Sequence, residues 1–64
     1  MQIRFERKTK GSAVENCPAR YKVIDDQGGY VIQGKRLDDA TRAQLRQLAD
    51  DEEAVWIPAD LIDG

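Results

Sequence analysis

Residues 25–36 read DDQGGYVIQGKR, and the fold of this 64-residue chain turns on how they are understood. Gly29, four residues, then Gly34 and Lys35 reproduce the spacing of a phosphate-cradling loop. Such a loop follows a buried strand and opens a helix, so that its N–H groups point at the phosphates and a following Ser or Thr holds magnesium. Here Tyr30, Val31, Ile32 and Gln33 fill the gap, a run of strand formers that cannot wrap a phosphate when extended. Arg36 stands where the hydroxyl belongs, and the chain is too short for the parallel sheet that carries the loop. A β-hairpin accounts for the same residues. Residues 20–24 and 30–33 are rich in β-branched and aromatic types, and between them lie turn-forming acids and glycines able to take positive φ. The pattern predicts a hairpin over about 20–34, with Tyr21 and Val23 on one face and Gly34 ending the return strand.

Upstream, Ile3 and Phe5 alternate with Gln2, Arg4 and Glu6, the period of a half-buried strand. The alternation dissolves in RKTKGSAVEN, so residues 7–16 are expected to be a flexible loop. Pro18 suits the start of the next strand. Downstream, LDDATRAQLRQLA predicts a helix over about 38–49, capped by Asp38 or Asp39, with Leu37, Thr41, Leu45 and Leu48 as its apolar stripe. The acids of DDEE oppose the negative end of a helix dipole and should stop it there. Residues 54–57 read as a short strand closed by Pro58, and ADLIDG as one helical turn carrying Leu61 and Ile62. The predicted class is α+β: one domain over 1–64, a small antiparallel sheet of three to four strands, and one helix packed on a face.

A chain this small builds a core worth only about 3–5 kcal/mol, and stability usually needs a disulfide, a metal or a partner. Cys17 is the sole cysteine and there is no histidine, so neither an internal disulfide nor a four-ligand zinc site can be assembled. Self-association or a protein partner is the remaining supplement. No apolar run could span a bilayer, and a lone thiol fits a reducing cytoplasm, so a soluble cytoplasmic protein is expected. A Cys–His mechanism is excluded at Cys17. The acid pairs Asp25–Asp26 and Asp38–Asp39 fall in a turn and at a helix start, where acids have structural work. No enzyme activity, cofactor, metal or small-molecule substrate is predicted.

Two surfaces remain as candidates. Trp56, with Tyr30 and Tyr21, offers aromatic anchors for a protein interface. Arg4, Arg7, Lys8, Lys10, Lys35 and Arg36 offer a basic patch for nucleic acid, the alternative reading. Residues 1–36 carry eight Lys/Arg against four Asp/Glu, a net +4, while residues 37–64 carry two against eight, a net −6. The pI of about 4.9 argues against a dedicated nucleic-acid domain, and the opposed halves can also attract one another.

Cys17-Pro18 followed by Tyr21, then GYVIQG over 29–34, then Val55, Ile57, Pro58 and Leu61 form an ordered series. In it the stretch 17–61 resembles a group of small, largely uncharacterised actinobacterial proteins that often accompany helix-turn-helix regulators or companion proteins of unknown role. The resemblance implies an accessory or regulatory role and assigns no functional residue. The basic N-terminal segment and Trp56, where a charged residue is more typical, depart from the group's pattern.

Overall fold

The computed structural model describes residues 1–10 and 18–63. Its elements run β1 (Ile3–Lys8), β2 (Ala19–Val23), β3 (Tyr30–Gln33), β4 (Lys35–Arg36), α1 (Asp39–Arg42), β5 (Val55–Trp56) and α2 (Asp60–Asp63). β1, β2 and β3 form an antiparallel sheet in that order, and β4 pairs with β5 in a second, two-stranded sheet. The class is α+β, as the sequence predicts.

β2 and β3 are the predicted hairpin. Asp25 organises its turn: one carboxylate oxygen accepts the Gln27 N–H at 3.1 Å, and the other accepts the Gln2 N–H at 2.8 Å, tying the start of β1 to the turn. Gly28 and Gly29 then take φ of 70° and 90°, values that cost an L-residue with a Cβ about 1–2 kcal/mol. Gly29 O accepts the Val23 N–H at 3.0 Å, which makes 23/29, and every second pair after it, hydrogen-bonded.

Gly34 acts through space instead of through φ. It lies at the junction of β3 and β4, where β5 crosses close above it. A Cβ on Gly34 would sit 2.4 Å from the Trp56 carbonyl oxygen, 2.7 Å from Ile57 Cγ2 and 3.0 Å from Val55 Cγ2. Gly34 therefore permits the second sheet to lie against the end of the first.

β1 continues through Arg7 and Lys8, two residues beyond the end of the sequence alternation. The register shifts between Phe5 and Arg7, a bulge that sets Glu6 and Arg7 together against Arg20. A bulge resets period two, so the strand looks as if it stops. Residues 11–16 of the expected loop, and Cys17, lie outside the described residues.

The predicted helix is the main correction. Of the two acids offered as caps Asp38 serves, its carboxylate accepting the Thr41 N–H at 2.8 Å, and the Thr41 side chain together with that N–H holds its carboxyl below the ordinary value. However, α1 covers only Asp39–Arg42 and buries no residue. The chain then tightens into three-residue bonds, Gln44 N–H to Thr41 O and Leu45 N–H to Arg42 O. A helix of about twelve residues is marginal without a packed face, and Leu45 remains exposed.

The tail packs where that helix was expected to. Leu61 is fully buried, and Pro18, Ala19, Val23 and Thr9 complete the buried set among the described residues. Arg7 and Arg20 donate to the Asp60 and Leu61 carbonyls at 3.1 and 3.0 Å, satisfying groups that a one-turn helix leaves unpaired. The Asp60 carboxylate accepts the Lys10 N–H and the Thr9 hydroxyl, each at 2.8 Å.

Two predictions follow from this packing. Gly34→Ala should lower the urea midpoint by the equivalent of about 1–3 kcal/mol, the usual cost of overpacking. It should exceed the effect of Gly28→Ala, whose added Cβ would meet nothing within 4 Å and cost backbone strain alone. The second concerns acid. The Lys10 and Thr9 bonds hold Asp60 below its ordinary 3.8, so the folded chain binds that proton less tightly than the unfolded chain. The resulting stability is complete above 3.8 and is lost as pH falls through the lower folded value. Asp60→Asn should therefore flatten the stability profile below about pH 4, measured by urea unfolding at stepped pH.

Candidate interaction surfaces

The pleat sorts the main sheet into two unlike faces. On one face Phe5, Tyr21 and Val31 stand in a single cross-strand row, with Ile3 opposite Val23 beside it. Phe5 meets Tyr21 edge to face at a centroid distance of 5.8 Å and 79°, a favoured aromatic geometry. The Tyr21 hydroxyl bonds Gln33 Oε1 at 3.0 Å, which fixes the ring. The face is covered unevenly: Val23 is buried, Tyr21 and Val31 are half-buried, and Phe5 is 56% and Ile3 45% exposed. The sequence pattern marks both as half-buried, and nothing in a period-two alternation tells whether a second layer covers the apolar face.

The other face is cationic. Arg4, Lys22 and Tyr30 form one cross-strand row, and Arg20 and Ile32 lie in the next. Lys22 Nζ lies 4.9 Å and Arg20 Cζ 5.1 Å from the Tyr30 ring centroid, within cation–π range. Arg20 also pairs with Glu6 at 2.7 Å. Neither Arg20 nor Lys22 is in the predicted basic patch, yet their alternation along β2 with Tyr21 and Val23 places them here.

Trp56 belongs to the second sheet. It is 50% exposed, opposite Lys35, whose Nζ lies 5.9 Å from its ring. An open groove of about 250 Å³ runs beside it between Lys35, Arg36, Leu37 and Thr41. A larger open cleft of about 630 Å³ is crossed by Arg42 and Glu53, whose carboxyl the guanidinium holds below its ordinary value.

The three predicted aromatic anchors are thus separate. Tyr21 and Tyr30 lie on opposite faces of the main sheet, and Trp56 lies on the second sheet. The six basic candidates are also dispersed. Arg4 and Arg7 share the cationic face, with Arg7 bonded to the tail, while Lys8 is opposite Ala19 on the apolar side. Lys10 follows β1 with its backbone held by Asp60, and Lys35 and Arg36 form β4. Among the described residues no three metal-ligating side chains converge, and no helix is long and apolar enough to cross a membrane. No protein-family model matches the chain, and no curated protein or solved structure is significantly similar to it.

Proposed function

We propose that this chain is a non-enzymatic protein-interaction module, an accessory or regulatory part that works by docking another polypeptide in the cytoplasm. The observation that carries the reading is the open Ile3–Phe5–Tyr21–Val31 face. A three-stranded sheet gains independent stability by covering its apolar face, and here Phe5 and Ile3 are left exposed at the edge strand while Tyr21 and Val31 are half-buried. The whole chain agrees. It exposes 5428 Å², whereas a compact monomer of 7.2 kDa exposes about 4,100 Å². Its radius of gyration is 13.1 Å against about 10.7 Å for a compact chain of this length. Surface of this kind is what an interface uses, with Phe5 and Trp56 as large anchors. The likeness to actinobacterial companions of regulators favours the same class.

Affinity capture by the full chain from its source cells, with mass spectrometry, tests this. The wild type should retain a defined protein, and Phe5→Ser or Trp56→Ala, folded by circular dichroism, should weaken that complex at least tenfold, about 1.4 kcal/mol. A monomer that retains nothing, or retains the same protein equally in both variants, counts against the reading.

A second reading, nucleic-acid binding, is favoured by one observation: the Arg4–Lys22–Tyr30 row sets a ring among cations, the combination single strands use. It predicts retention on heparin at low salt that falls as salt rises, and earlier elution of a Lys22→Glu variant. Failure to bind at low salt eliminates it.

A further inference from the structure

We propose that β3 is a self-pairing seam, through which two copies of this chain join their main sheets into one antiparallel six-stranded sheet. The proposal deepens the interaction reading by naming one partner, a second copy.

The main sheet has two outer edges, β1 and β3, and they differ. β1 carries Arg4, Glu6, Arg7 and Lys8 and a bulge, the devices that discourage edge pairing. β3 is Tyr-Val-Ile-Gln, with no charge, proline or bulge. Because 23/29 is a hydrogen-bonded pair, Val31 also turns its N–H and C=O toward β2. Tyr30 and Ile32, one residue out of phase, turn theirs outward. Among the described residues, no backbone or side-chain group pairs with those outward groups.

That edge is complementary to itself in one register. An antiparallel second copy centred on Val31 sets Tyr30 opposite the second copy's Ile32, Ile32 opposite its Tyr30, and the two Val31 residues face to face. All the outward N–H and C=O groups of Tyr30 and Ile32 are then used. The side-chain pairs are aromatic against β-branched, twice, and β-branched against β-branched, which are favourable cross-strand neighbours. No like charges meet. Self-pairing of β1 in the equivalent register, centred on Arg4, would instead set Arg4 face to face with its own copy, and the bulge after Phe5 would break the ladder. The seam also makes the apolar row continuous, running Phe5, Tyr21, Val31 and back through the second copy in reverse order. Four residues make a short seam, so the dimer is weak and depends on concentration.

Sedimentation equilibrium of the full chain should show mass rising with concentration from 7.2 kDa toward twice that value. Ile32→Pro, which deletes an outward N–H and leaves the β2–β3 ladder intact, should hold the lower mass. Should that variant unfold, crosslinking decides. In a Cys17→Ser background, Val31→Cys should form a disulfide-linked dimer under mild oxidation, because a non-hydrogen-bonded antiparallel pair brings Cα atoms to about 4.5 Å, within disulfide reach. Arg4→Cys on the far strand should not. A chain monomeric at the highest concentration reached, or crosslinking no better at Val31 than at Arg4, overturns the seam. Either result leaves capture of a different protein as a separate measurement, so the two readings fail independently.

Discussion

The structure rests on the clamp between its C-terminal turn and its first sheet. Asp60 and Leu61 are about fifty residues from Thr9 and Lys10, yet they supply the fully buried side chain and the carboxylate that receives two donors from the end of β1. Arg7 and Arg20 complete the clamp by bonding the two carbonyls that a single helical turn leaves open. Leu61 is fully buried, and the polar bonds around it satisfy the backbone that its burial takes from water. In so small a chain one buried leucine is a large fraction of the apolar stabilisation. The acid dependence of the clamp and the packing of the core are therefore one property.

With the clamp at one end of the sheet, little chain is left to cover the rest. The segment that could have supplied a covering helix is spent on one turn and a string of bends, held across its ends by Arg42 and Glu53. The consequence is a sheet with two chemically distinct faces. One presents Phe5 and Tyr21 in mutual contact, and the other presents Tyr30 under two cations.

Gly34 connects these features. The DDQGGYVIQGKR stretch holds three glycines with two different physical roles. Gly28 and Gly29 turn the chain through positive φ, while Gly34 makes room for the Trp56 carbonyl and the Val55 and Ile57 methyl groups. The close approach brings β5 against β4 and leaves the Trp56 ring on the outside over Lys35. The exposure of Trp56 and the absence of a side chain at Gly34 are two sides of one contact.

The chain's local chemistry determined by itself the hairpin, a helix cap at Asp38 or Asp39, the tail turn and the α+β class. Each depends on neighbours within a few residues: glycines at positive φ, a carboxylate reaching an N–H three residues on, alternation of strand formers. The local pattern also separated this loop from a phosphate loop, since a strand run between two glycines cannot curl. Tertiary structure alone decided the rest. An apolar stripe at 37–48 states that a helix could form, but a helix persists only where something packs on its stripe, and here Thr41 and Leu45 are exposed while Leu37 and Leu48 are only half-buried. The bulge at Glu6 and Arg7 hid the end of β1, because a shift of one residue erases the period by which strands are recognised. The faces assigned to Tyr21 and Tyr30, the exposure of Phe5 and the bonds from Asp60 to Thr9 and Lys10 depend on which distant segments meet. Those meetings are settled by the balance of burial against chain entropy over the whole molecule, a quantity no short window of sequence contains.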